Sequence, residues 1–342
     1  MSERFFRQTD QELEVHEQGP GRGTKTVVSI PLLELADGTW VNANVVVIRG
    51  AEPGPVFLAA AAVHGDEING IHIVQRFARQ LDPAGLRGTV LALPVQNPLG
   101  LQAQHRFPVG QLLKSPLDQS PADLWAAFPG DPEGNSTQVM AHILDRELFC
   151  KADYLIDIHT PTTGGRYLSI AFLPPARVGE PAERAEELAG AFGTRVVLKT
   201  DSGMYVHEAT PHVVAAGRGA AGFGVELGEG GRVEPELIEL GVRGLENMAR
   251  LIGMLPGSVE ATPEQIKLRT MIPVRARRGG LLQCSVGLGE LVAAAQVIGT
   301  ITNPLGQVTE ELRAPLDGLL VRATTFPTVM TGERVAQIGI PR

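Results

Sequence analysis

The sequence is poor in the features that announce several common protein classes. It has two cysteines in 342 residues, Cys150 and Cys284, far apart and without CxxC spacing. That excludes a disulfide framework and a thiolate metal cage, and it points to a reducing, cytoplasmic setting. Positive charge is also scarce: 30 Lys plus Arg face 38 Asp plus Glu, a formal net charge of −8. Without a dense cationic surface, general binding to nucleic acid is excluded. The longest apolar stretch, Val56 to Val63, is much too short to cross a bilayer, so no membrane partner is expected. The opening segment MSERFFRQTDQELE has charges on both sides of its single apolar pair and lacks the apolar core of a secretory signal. What the chain does hold is 43% hydrophobic residues and 40 glycines, enough to bury a substantial core.

Two β-rich runs between Thr24 and Ile48, separated by Ala36-Asp37-Gly38, predict a hairpin. The apolar run VFLAAAAVHG then predicts a strand buried on both faces, followed by a helix in which Ile68, Ile71, Val74, Phe77 and Ala78 recur at helical spacing. Further strands are expected at TVLALPV, YLIDIH, RVVLK and GFGVEL, and helices near 137–150, 181–192 and 234–255. This alternation predicts an α/β domain with a mixed sheet flanked by helices over residues 1–258. The irregular, Pro- and Gly-rich segment Leu101 to Glu133 is long enough to suggest a functional loop. Pro256 to Pro263 reads as a linker to a small all-β domain at 264–342. Its half-motifs, Gly280-Leu281-Leu282 with Gln296-Val297-Ile298-Gly299 and Gly318-Leu319-Leu320 with Gln337-Ile338-Gly339, resemble the lipoyl- and biotinyl-carrier barrel. No lysine follows Lys267, so a lysine-tethered swinging arm at the Asn303–Gln307 hairpin is not expected.

Three short motifs carry candidate chemistry. His64-Gly65-Asp66-Glu67 stands where a buried strand gives way to a helix, a turn on which a histidine and a carboxylate can converge on one ion. The alternative is a hydrogen-bonded loop histidine beside acids favoured by the helix dipole. In Ile156-Asp157-Ile158-His159, Asp157 and His159 share one face of a buried strand, which is costly without a partner. A metal bound by His159 and steadied by Asp157 would supply one; mutual pairing with loop amides would be another. Glu226, in Val-Glu-Leu-Gly-Glu-Gly-Gly, is either the base that deprotonates a zinc-activated water or an acid paired with an arginine on a solvated loop. Cys150 reads as a small core residue, and His72, His105, His142, His207 and His212 lack comparable partner spacing.

Together, His64-x-x-Glu67, His159 some ninety residues later and Glu226 resemble the succinylglutamate desuccinylase/aspartoacylase family, relatives of the zinc carboxypeptidases. The resemblance covers nearly the whole chain. It implies one Zn²⁺ per chain held by His64, Glu67 and His159, with Asp157 behind His159, Glu226 activating water, and hydrolysis of an N-acyl amide. Asn97-Pro98 followed by Arg106 matches the family's arginine that polarises the scissile carbonyl, and Asn97 is itself a candidate substrate contact; an exposed loop arginine is the alternative. Where the family has Asn-Arg to clamp a substrate carboxylate, this chain has Trp125-Ala126. Trp125 then either faces the substrate or is structural, and Arg166 is a candidate replacement anion contact. The implied partner is a small N-acyl amine, closest to the N-acetylated diamino acids, and a homo-oligomer is compatible with the sequence. A metallocarboxypeptidase acting on peptides and a non-catalytic binding homologue are the competing expectations.

Overall fold

The computed structural model describes residues 13–107 and 120–342. The hairpin forms as β1 (Thr24–Glu34) and β2 (Trp40–Arg49), and the turn between them needs the positive φ of Gly38. After it come β3 (Glu52–Ala61), α1 (Ile68–Gln80), β4 (Arg87–Leu93) and the short α2 (Pro98–Ala103). Next are α3 (Ser136–Glu147), β5 (Tyr154–His159), β6 (Gly165–Phe172) and α4 (Glu180–Phe192). β7 (Val196–Leu198), α5 (Pro211–Gly217), β8 (Ala221–Glu229) and α6 (Pro235–Leu251) complete the α/β part. Eight strands follow: β9 (Ile266–Arg275), β10 (Gly280–Cys284), β11 (Leu291–Val292), β12 (Val297–Thr302), β13 (Val308–Arg313), β14 (Gly318–Thr324), β15 (Thr328–Val329) and β16 (Arg334–Pro341).

The centre of the sheet runs β4-β3-β5-β8 in parallel, with β6 antiparallel beside β8. These strands are buried on both faces, which is why they read as continuous apolar runs. On one face, Ile156, Ile158, Phe223 and Val225 pack with residues of α1, α4 and α6. On the other, Leu58, Leu155 and Phe172 pack with residues of α3 and with Trp125 and Tyr205. Asp157 and His159 project to this second side, as strand alternation requires.

The division expected at residues 258–264 does not interrupt the sheet. β9 adds parallel to β7, β16 pairs with β9, and β14 pairs with both β16 and β6, giving a twelve-stranded sheet that continues from the hairpin into the C-terminal all-β region. A second sheet, β13-β12-β10-β15, belongs to the same region, whose own core includes Leu282, Ile301, Leu312, Leu320 and Ile338. Each half-motif forms one antiparallel pair, β10 with β12 and β14 with β16, but the two pairs lie in different sheets. Sequence patterning missed β6 and α5. It also misplaced Cys150, which follows α3 and is exposed, with its thiol donating to the Arg146 carbonyl at 3.2 Å. No helix among the described residues is long and apolar enough to cross a membrane.

Candidate metal centre and active-site cleft

The carboxyl ends of β3, β5 and β8 lie side by side, the edge of an α/β sheet where ligands bind. β3 ends at Ala61, and the chain turns sharply through Ala62, whose φ of 50° is unusual for a residue with a side chain. Backbone donors hold that turn: Gln96 N–H bonds the Ala61 carbonyl and Asn97 N–H the Ala62 carbonyl, both at 3.0 Å. Gly65 comes next because a Cβ there would run into the backbone of Gly100 in α2. The turn delivers His64 and Glu67 to the sheet edge. Glu67 occupies the N-cap position of α1 yet makes no capping bond, because its carboxylate is turned toward the cleft.

His64, Glu67 and His159 are buried, and each offers a ligand atom within 4.8 Å of the others. Glu67 Oε1 lies 2.7 Å from His64 Nδ1, and Oε2 lies 2.9 Å from His159 Nδ1. The far nitrogen of each ring is also held: His159 Nε2 is 2.8 Å from Asp157 Oδ2, and His64 Nε2 is 3.1 Å from Asp123 Oδ1. A carboxylate behind each imidazole fixes its orientation and leaves Nδ1 aimed at the shared point, an arrangement suited to binding a divalent cation. The donor set, two imidazoles and one carboxylate, is that of an open zinc site. Burial opposes ionisation of Glu67, but the two imidazoles overcome it and hold its pKa down to about 2. Burial likewise opposes charge on His159, yet Asp157 and Glu67 raise it well above the usual histidine range.

Glu226 pairs with His159 in the β5–β8 register, which puts its carboxylate at the same edge. Its Oε1 accepts from the Tyr205 hydroxyl at 3.0 Å, and its buried Oε2 has no hydrogen-bond partner among the described residues. Burial, reinforced by the nearby charge of Glu67, pushes the Glu226 pKa up to about 7. Tyr205 is also 3.0 Å from the Tyr167 hydroxyl, and its single proton serves either acceptor; Tyr167 in turn donates to Gln337 on β16.

Arg106 lines the cleft next to the cluster, with Nη1 3.3 Å from His64 Nδ1 and 3.9 Å from Glu67 Oε1. Its Nε and Nη2 bind Asp123 Oδ2 at 3.2 and 2.7 Å. Asp123 therefore joins three elements, since its Oδ1 also accepts from Trp125 N–H at 3.1 Å, capping the turn 124–126. Burial opposes its charge, but His64 and Arg106 hold its pKa well below the carboxylate range. The sequence analysis gave Asp123 no role; an acid two residues before a buried aromatic was the available signal. Trp125 is buried, its ring edge-on to His159 at 5.6 Å and stacked on His212 at 6.4 Å, and its Nε1 has no partner. His212, passed over for lack of spacing, is fully buried there, and burial lowers its pKa to about 4.

Two expected contacts lie elsewhere. Asn97 is buried away from the cleft lining: its oxygen caps α2 through Gly100 N–H at 2.9 Å and its amide donates to the Val63 carbonyl at 3.1 Å. With its amide group committed to backbone, it braces the His64 turn and does not face substrate. Arg166, the second residue of β6, pairs with Glu229 at the same sheet edge, but strand alternation turns its side chain away from the face on which Tyr167 lines the cleft, and it is ion-paired with Glu234 at 2.5 Å. The part of the specificity loop at residues 108–119 lies outside the described residues.

A buried His-Glu-His set that could hold a metal ion, with a carboxylate beside it, lies on the edge of an α/β sheet. The model of the succinylglutamate desuccinylase/aspartoacylase catalytic domain matches residues 53–252, and the chain belongs to that family. It is 31% identical over 319 residues to the N-alpha-acetyl-L-2,4-diaminobutyric acid deacetylase of Halomonas elongata, covering 89% of this chain and 87% of the relative. Among solved structures, the succinylglutamate desuccinylase/aspartoacylase of Rhodobacter sphaeroides is 26% identical with a TM-score of 0.79, over 93% of this chain and 96% of the other. The product-bound ectoine utilization protein EutE of Ruegeria pomeroyi has a TM-score of 0.80 at 22% identity, over 93% and 95% of the two chains, a likeness of fold.

Proposed function

We propose that the protein is a zinc-dependent amidohydrolase that removes the acyl group from an N-acylated amino acid, with Nα-acetyl diamino acids as leading substrates. The observation that carries this reading is the convergence of His64, Glu67 and His159 next to the unpartnered Glu226 oxygen, in a chain 31% identical to a diaminobutyrate deacetylase. His64 Nδ1, His159 Nδ1 and the Glu67 carboxylate would hold the ion. When bound, zinc supplies Lewis acidity to water and to the scissile carbonyl.

The chain's own groups do the rest. Glu226 accepts a proton from the attacking water and returns it to the leaving nitrogen; a base poised near neutrality suits both transfers. The Tyr205 hydroxyl orients that carboxylate through Oε1. Arg106 presents Nη1 toward the oxygen on which negative charge develops, and a guanidinium stays charged throughout. Trp125 and Phe172 form an apolar wall that keeps bulk water off the reacting groups. In this reading residues 1–258 carry the chemistry, and 264–342 form a carrier-like β-module joined to β6 through β14. The two exposed, unpaired cysteines suit a reducing compartment such as the cytoplasm.

The test is a Glu226→Gln variant assayed against N-acetyl, N-succinyl and N-formyl amino acids. It is expected to keep about one zinc per chain and to lose amine release by about two to four orders of magnitude. Full activity in that variant, or unchanged zinc in both His64→Ala and His159→Ala, defeats the assignment.

A further inference from the structure

The cleft lining includes one cation from the C-terminal all-β region, Arg334, at the start of β16. Its backbone is fixed: its carbonyl accepts from Thr324 Oγ1 at 2.9 Å and Arg322 Nη1 at 3.3 Å, and β14, which carries both donors, pairs with β6. Its guanidinium, by contrast, has no hydrogen bond or ion pair among the described residues, and it is half-buried. The other arginine of the cleft is already neutralised, since Arg106 holds Asp123 at 2.7 Å. Arg334 is therefore the cleft's uncompensated guanidinium, a fork whose donors match a carboxylate.

We infer that Arg334 is the substrate's carboxylate-binding residue, supplied to the cleft by the C-terminal β-region. The inference rests on the deacylase reading above. It would let a cleft with no cation at positions 125 and 126 hold a substrate carboxylate. Arg334 is a specificity residue and has no part in moving protons. The carboxylate it holds belongs either to the amino acid or to a dicarboxylic acyl group, and the substrates below separate the two.

The experiment compares wild type with Arg334→Ala on the zinc-loaded full chain. The substrates are Nα-acetyl-L-2,4-diaminobutyrate, its carboxamide, and N-succinyl-1,3-diaminopropane, which keeps a carboxylate only on the acyl side. For the carboxylate-bearing substrate the variant is expected to raise KM about 10- to 100-fold with little change in kcat, so that its preference over the carboxamide collapses. Arg334→Lys is expected to recover part of that preference. If Arg334→Ala does not fold, Arg334→Gln carries the same comparison. An equal acid-to-carboxamide ratio in wild type and variant, together with an unchanged KM for N-succinyl-1,3-diaminopropane, overturns the inference; a KM raised for the succinyl substrate alone places the carboxylate on the acyl group. If wild type turns over none of the three, the deacylase reading falls, and calorimetric binding decides Arg334 separately. Acid binding that weakens selectively in the variant upholds it; equal binding, or no binding at millimolar ligand, overturns it.

Discussion

Asp157→Asn tests how much of the proposed zinc affinity depends on the carboxylate behind His159. Asp157 is completely buried, with Oδ2 2.8 Å from His159 Nε2 and Oδ1 accepting from Gln96 Nε2 at 2.9 Å. A hydrogen bond to a charged group contributes about 1.5–3 kcal/mol against about 0.5–1.5 for a neutral one, so the exchange removes roughly 1–1.5 kcal/mol. That is about a tenfold loss in zinc affinity if His159 keeps its tautomer. The asparagine can meet that condition by turning its oxygen to His159, provided Gln96 flips to offer Oε1, a buried atom with no hydrogen-bond partner. If Gln96 does not flip, the asparagine amide faces Nε2 and drives the ring proton to Nδ1, the proposed ligand atom, and the loss approaches a hundredfold. Competitive titration with a fluorescent chelator measures the zinc Kd directly. A Kd within twofold of wild type refutes the reasoning.

Three further outcomes are expected. Tyr205→Phe removes the donor to Glu226 Oε1, so the Glu226 pKa rises by about one to two units and the acid limb of the kcat/KM profile moves up with it; an unmoved limb denies Tyr205 this role. Gly65→Ala drives a Cβ into the Gly100 backbone, where no flexible side chain can yield, and is expected to cost about 2–3 kcal/mol, a fall of roughly 3–4 °C in melting temperature with weakened zinc binding. His212 is buried neutral with its pKa lowered to about 4 from 6.5, so below pH 6.5 the unfolded chain binds its proton first. Stability is therefore present above 6.5 and falls by on the order of 3 kcal/mol as the pH drops through that window toward 4. His212→Gln is expected to flatten this decline in urea midpoints between pH 7 and 4.5, and an unchanged slope counts against it.

Much of the site was legible in the order of residues, because it is built from local pieces. A buried strand must end before a helix begins, so His64 and Glu67 were bound to lie at one edge; strand alternation alone put Asp157 and His159 on the same face. Glu226 followed from the end of an apolar strand. Asn97 and Arg166 sit near the ligands in sequence, but a backbone commitment holds the first, and strand alternation with an ion pair to Glu234 turns the second away from the cleft.

Periodicity and motif spacing, then, determined the α/β class, the hairpin and the main strands, and the family resemblance implied which histidines and acids gather. Only the tertiary structure decided that the C-terminal strands extend the same sheet, that Asp123 links His64 to Arg106, and that Arg334 reaches the cleft. The physical reason is range. Patterns within a segment report which face is buried, whereas contacts between Asp123 and His64, or between β14 and β6, join segments dozens to more than a hundred residues apart, and no local pattern encodes them.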